Sequence, residues 1–278
     1  MREDLAAATA TLARAGVDAP RADAEWLLAG LLGVGRATLA LGLDVALDAE
    51  TARRYAAAVR RRATREPLQQ ILGWEAFRGL RLRLTPDVLV PRPETELLVE
   101  WALELVPQPR LAVDVGTGSG CIACAIAVER PAARVVAVDR SAAAAAVARS
   151  NAGALGVADR VTVVVGDLVA ALGGACADLV VANLPYVPAS ALAALPPEVR
   201  RYEPRDAVDG GPDGLAEIRR LAAAAPSAMV RGGWLVVETA GGTQAPEVVS
   251  LMRTAGFTQV ATRRDLPGVE RFVAGRCG

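Results

Sequence analysis

Histidine and lysine are both absent from this chain, so every basic residue is arginine. A chain without histidine has neither an imidazole general base nor an imidazole metal ligand. The missing lysine reads as a bias of coding rather than of chemistry. An excess charge of one sign is lacking too: 31 basic residues face 31 acidic ones, for a formal charge of zero. That balance gives no support for extended nucleic-acid binding, and no stable nucleic-acid partner is expected. No window runs through about 18 apolar residues without a charge, which argues against a membrane span. The opening MREDLAAATA sets acids beside its arginine and has no signal-peptide apolar region, so a cytoplasmic protein is expected. Cysteine is scarce. Cys121 and Cys124 form a CxxC, but they stand where a glycine-rich turn enters a helix, and no second ligand pair accompanies them. They read as small packing residues, and no metal is expected.

At 278 residues the chain has room for one large domain and a smaller one. Residues 1–66 read as a short helical bundle. AEWLLAGLLGV repeats apolar residues at helical spacing, and DAETARRYAAAVRRRATRE opens on acids and closes among arginines, as the helix dipole prefers. Arg60, Arg61, Arg62 and Arg65 read as a solvated helix end. Over residues 67–93, the alternation in LRLRL between turn residues predicts a β-hairpin linker. From residue 94 to 278, short apolar runs alternate with alanine-rich helical stretches: LAVDVG, RVVAVDR, RVTVVVGD, ADLVVAN and GGWLVVET. This is the pattern of an α/β fold, with a mostly parallel sheet covered on both faces.

LAVDVGTGSGCIACAIA reads as strand, glycine turn and helix. Gly116, Gly118 and Gly120 permit positive φ and a close ligand approach, with Thr117 and Ser119 between them. Such a turn alone is weak evidence, since dinucleotide-binding folds use a similar one with GxGxxG spacing. Three acids sharpen it. Asp114, just before the turn, can meet an ammonium group. Asp139, ending the next strand, can bind both hydroxyls of a ribose. Asp167, after a third strand and followed by Leu168, can hold an adenine amino group. Read singly, Asp139 and Asp167 serve equally well as helix caps. Together the acids suit a ligand with ribose, adenine and a cationic amino acid, which describes S-adenosylmethionine.

A fourth strand runs into Asn183, Leu184, Pro185 and Tyr186, at the carboxyl edge where ligands of such sheets bind. An amide NH2 is a poor nucleophile because its lone pair is delocalised. Two acceptors fixed in one plane hold both its hydrogens and aim the nitrogen. The Asn183 side-chain oxygen and the Leu184 carbonyl can be those acceptors, and Pro185 holds the residue before it extended. Tyr186 offers a flat face to a flat substrate. The tetrad alone does not choose between adenine and glutamine.

The tetrad resembles the (N/D)PP(Y/F) motif of amino-methyltransferases. Its NLPY spelling is similar to that of ribosomal-RNA adenine dimethyltransferases, whereas protein glutamine methyltransferases spell it NPPY. Beyond the tetrad, VPRPETELLVEWAL, YEPRDAVDGGPDGLAEIRRL, GGWLVVETAGGTQ and DLPGVERFVAGR resemble the HemK-type glutamine methyltransferases, and the resemblance covers nearly the whole chain. It implies a class I (Rossmann-like) seven-stranded methyltransferase sheet preceded by a helical domain that helps dock a protein substrate. The implied reaction transfers a methyl group from S-adenosylmethionine to the side-chain amide of the GGQ glutamine of a peptide chain release factor. Methylation of adenine N6 in RNA or DNA, or of a glutamine in another translation protein such as a ribosomal protein, stands as the alternative. By the resemblance, Gly116 to Gly120, Asp139, Asp167 and Leu168 would contact the cofactor. Asn183, Leu184, Pro185 and Tyr186 would hold the glutamine, with Asn183 also near the methyl donor. Arg92, Glu94, Thr95 and Glu96 would close over the site. Leu184 stands where the family has its first proline; the backbone acceptor is kept and the packing changes.

Overall fold

The structure, a computed structural model, describes residues 1–42 and 45–278. The helical reading of residues 1–66 runs across 43 and 44, which lie outside the described residues. Helices α1 (Arg2–Arg14), α2 (Pro20–Leu32), α3 (Arg36–Leu41), α4 (Ala49–Ala63) and α5 (Leu68–Leu72) come first. Their apolar faces meet in one core that buries Leu5, Leu12, Leu27, Leu28, Tyr55 and Val59. Within that core the Tyr55 hydroxyl donates to Ala24 O at 3.0 Å. Asp48 caps α4 by accepting from Thr51 N at 2.8 Å.

The chain divides into two units: Met1–Trp74 with Leu195–Tyr202, and Glu75–Ala194 with Glu203–Gly278. Ion pairs bind the later segment into the helical unit. Arg65 pairs with Glu198 at 2.5 Å, and buried Arg62 bridges Asp23 at 2.7 Å and Glu198 at 2.9 Å. These two arginines are therefore not the solvated helix end that the sequence suggests. Arg62 finds its partner 136 residues away. Leu195–Tyr202 likewise falls outside the continuous domain expected over residues 94–278.

The hairpin is shorter than the linker expected over residues 67–93. Pro67 opens α5 and Gly73 closes it, with the left-handed φ of 77° that ends a helix. Only β1 (Trp74–Phe77) and β2 (Leu80–Arg83) then pair, turning at Arg78 and Gly79 with φ of 47° and 76°. A loop leads to α6 (Pro93–Leu105), which has proline in its first turn and Glu94 and Glu96 near its positive end.

Strand and helix alternate from there: β3 (Leu111–Val115), α7 (Cys121–Glu129), β4 (Arg134–Asp139), α8 (Ala142–Ala154), β5 (Val161–Val165) and β6 (Ala177–Ala182). Then follow α9 (Pro197–Tyr202), α10 (Ala216–Ala224), β7 (Met229–Glu238), α11 (Gln244–Thr254), β8 (Thr258–Arg264) and β9 (Glu270–Arg276). Among the described residues the larger sheet has seven strands in the order β5-β4-β3-β6-β7-β9-β8. The first five strands run parallel, and β9 and β8 join antiparallel. The expected α/β architecture is met. Both faces are buried because successive side chains alternate between two cores. In β3, Ala112 packs with α6 and α7, while Val113 and Val115 pack on the opposite face. Among the described residues no helix is long and apolar enough to cross a membrane.

Candidate active site

Because β3 to β7 are parallel, their carboxyl ends lie along one edge of the sheet, and the segments leaving that edge carry the polar groups of the site. A cavity of about 650 Å³ opens there, within the usual range of small-molecule sites. It is lined by Gly116, Thr117, Gly118 and Ser119 after β3, by Asp139 at the end of β4, and by Asp167 and Leu168 after β5. Asn183, Leu184 and Pro185 after β6 line it as well, with Arg92 and Thr95 at the start of α6.

The glycine turn is built to bring backbone close to a ligand. Gly116 and Gly118 hold φ of 73° and 53°, and Gly120 holds 82°. Gly120 packs inward instead of lining the cavity: a β-carbon there would stand 3.1 Å from Ala148. Asp139 fixes the turn by accepting from Gly118 N at 2.8 Å through Oδ2, and from Ser141 N at 2.9 Å through Oδ1. Each oxygen keeps a second lone pair, so the carboxylate can still take two hydroxyls. It serves the fold and faces the cavity at once. Leu168 adopts φ 49° beside the cavity, a conformation that side chains rarely take. Asp167 shares Arg220 with Glu217 at the rim.

Asp114 departs from the expected arrangement. It lies on the same face of β3 as Ala112, fully buried and absent from the cavity lining. Its Oδ2 accepts from Thr117 Oγ1 at 2.6 Å and from Ala123 N at 3.0 Å, which staples the turn to α7. Among the described residues its Oδ1 has no hydrogen-bond partner, and burial pushes the carboxyl up to about 7. Strand alternation sends this acid under the turn and out of the cavity lining. Cys124 is buried in the core, while Cys121 contributes to the cavity wall.

Around the tetrad, a chain of hydrogen bonds crosses from α6 to β7. Asn183 Nδ2 donates to Thr95 Oγ1 at 2.9 Å, and Thr95 Oγ1 donates to Glu238 Oε2 at 2.8 Å. Tyr186 donates its hydroxyl to Glu238 Oε1 at 3.3 Å, and its carbonyl accepts from Gln244 Nε2 at 2.8 Å. Tyr186 is thus engaged behind the cavity wall and does not line it. Burial raises the Glu238 carboxyl to about 7, although Thr95 and Arg271 oppose the shift. Burial also raises the Tyr186 phenol. Glu94 lies outside the lining and acts on Glu238 only as a neighbouring charge. Glu96 turns to the hairpin, accepting from Arg78 N at 2.8 Å. Of the acids in the PRPETE segment, then, neither closes over the cavity. Arg92 does line it, held by Glu203 at 2.6 Å.

Glu238 has a signal in the sequence that a reading by motif passes over. Val181 and Val236 pack on the face that α6 covers. With a period of two, Asn183 and Glu238 fall on that same face, beside the first turn of α6.

Residues 3–73 match the family described as PrmC N-terminal domain, and residues 93–194 match the methyltransferase small domain. The chain is 46% identical over 267 residues to the release factor glutamine methyltransferase of Geobacter sulfurreducens, covering 96% of this chain and 93% of that one. It is 44% identical over 278 residues to the protein of that name from Mycolicibacterium smegmatis, covering 98% and 96%. In fold it is similar to the hMettl16 catalytic domain, with TM-score 0.60 at 16% identity over 83% of this chain and 82% of that one. A methyltransferase from Pyrococcus furiosus gives 0.54 at 16% identity, over 73% and 91%.

Proposed function

The chain belongs to the release factor glutamine methyltransferase family, and on that premise we propose that it methylates the side-chain amide nitrogen of the GGQ glutamine in a peptide chain release factor. The observation that carries this reading is a juxtaposition: the Asn183 amide and the glycine turn share one cavity. One feature binds a nucleoside-bearing ligand closely, and the other holds a planar amide.

The residues present fit S-adenosylmethionine. A turn whose glycines hold positive φ, a carboxylate with spare lone pairs at Asp139, and apolar walls at Leu168 and Ile122 suit its backbone-close, hydroxylated and aromatic parts in turn. Gly116 to Ser119 would hold the amino-acid portion, Asp139 the ribose, and Asp167 with Leu168 the adenine. When bound, this cofactor supplies an electrophilic methyl group. The protein's own contribution is position. The Asn183 Oδ1 and the Leu184 carbonyl accept the two hydrogens of the substrate NH2 and hold its plane, which is where proximity and orientation earn rate. Pro185 limits the freedom of that carbonyl. The helical unit is the docking module for the protein substrate, and the enzyme works in the cytoplasm with translation factors.

The test is incubation with labelled methyl donor and a purified release factor, beside a factor in which the GGQ glutamine is replaced by alanine. Mass spectrometry should place one methyl group on that glutamine and none on the replaced factor. Labelling that appears only with RNA, or only with a ribosomal protein, would overturn the assignment.

A further inference from the structure

The chain Asn183–Thr95–Glu238 has a direction, and the direction matters to the reaction proposed above, on which this inference rests. A carboxylate can only accept hydrogen bonds. With Glu238 ionised, the Thr95 hydroxyl must donate to it, at 2.8 Å. That hydroxyl has one hydrogen. Toward Asn183, at 2.9 Å, it can therefore only accept. It follows that the Asn183 amide turns its NH2 to Thr95 and keeps its oxygen for the other side. The opposite orientation would set an NH2 against the NH2 of the substrate, donor against donor.

We propose that Glu238 is a positioning residue: acting through Thr95, it sets which end of the Asn183 amide faces the substrate. Glu238 does not line the cavity and is only 1% exposed, so it acts through Thr95 and has no direct path to the reacting nitrogen. The groups facing it are Thr95 and Glu94 from α6, Tyr186 from the loop after β6, and Arg271 from β9. Arg271 is itself held by Asp265 at 2.8 Å and by Thr239 O at 3.3 Å. A protonated Glu238 can donate to Thr95 and reverse the chain, which turns the Asn183 NH2 toward the substrate. With its carboxyl raised to about 7, this reversal falls in an accessible range, and turnover declines as pH drops through it.

The experiment measures kcat against pH on a purified release factor, with cofactor affinity followed separately by calorimetry. Thr95→Val keeps the shape and removes the relay. It should lower kcat about tenfold, the factor that one lost hydrogen bond is worth, with cofactor affinity unchanged. Thr95→Ser should restore most of that loss. Glu238→Gln removes the titration and should flatten the acid limb of the profile. A Thr95→Val enzyme with the kcat of the wild type, or an acid limb that survives in Glu238→Gln, overturns the proposal. If Glu238→Gln does not fold, the valine and serine pair decides. A wild-type enzyme that leaves the release factor unmethylated refutes the assigned substrate instead, so the two failures are distinct.

Discussion

Leu184 presses on the glycine turn: a β-carbon built on Gly116 would stand 2.9 Å from Leu184 Cδ2. The residue that departs from the family spelling is thus packed against the turn, only 6% exposed and part of a core cluster.

Gly116→Ala should therefore cost stability for two reasons. The left-handed φ of 73° is worth about 1–2 kcal/mol against a side chain, and the contact with Leu184 adds to it. Leu184→Ala costs stability by opening a void but removes that contact. The double variant should be less destabilised than the sum of the singles, by roughly 0.5–3 kcal/mol as for coupled neighbours. Strict additivity in urea unfolding would show that the two side chains do not meet.

Asn183→Ala removes an acceptor that no neighbour replaces. Turnover should fall about 10²-fold, as for loss of a catalytic hydrogen-bonding group, while circular dichroism stays that of the wild type. Normal turnover in a folded variant would remove the amide from the mechanism.

Asp139→Asn should weaken cofactor binding by about 1–3 kcal/mol, the cost of mispairing buried polar groups. Calorimetry is the measurement. Affinity equal to that of the wild type would leave Asp139 with only its structural bonds to Gly118 and Ser141.

Stability should fall as pH rises from about 4 to about 7. Asp114 and Glu238 are both raised by burial to about 7 in the folded chain, whereas unfolded carboxyls titrate near 4. Between those values the folded state binds more protons, so the contribution is fully present below the window and lost above it. Carboxyls held low by ion pairs, such as Glu198, act on the acid side. Urea unfolding at about pH 5, 6 and 8 should therefore show the trend, and Asp114→Asn should reduce its slope. An unchanged slope in that variant would exclude Asp114 as a source.

Arg62→Met should destabilise the helical unit by about 1–3 kcal/mol, because it leaves half-buried Asp23 without this ion pair, while Glu198 keeps Arg65. Urea unfolding followed by tryptophan fluorescence can report it, since Trp26 and Trp74 meet edge to face in this unit. A loss below about 1 kcal/mol would place the pair among exposed ones.

The parallel strands and the tetrad were legible because their signals are local: apolar runs, a glycine turn, an acid or an amide at a strand end. What was not legible depended on facing and on distance. Asp114 sits one residue from the turn in sequence, yet strand alternation turns it into the core. Glu96 looks like a lid residue beside Arg92, yet the helix carries it round to Arg78. Thr95 and Glu238 are 143 residues apart, and no local pattern announces their hydrogen bond. Arg65 and Glu198 are separated by 133, so two members of an apparently solvated cluster prove to be tied to a distant acid.

That tie has a bearing on how the molecule can be recombined. Because Leu195–Tyr202 belongs to the helical unit, the polypeptide passes between its two units three times, not once. A single crossover near residue 74 would join a foreign bundle to a native α9 and leave Glu198 facing arginines it was not selected with. Grafting this bundle onto another catalytic sheet requires two exchanges, one at the N-terminal side of the hairpin and one within the stretch that follows the tetrad.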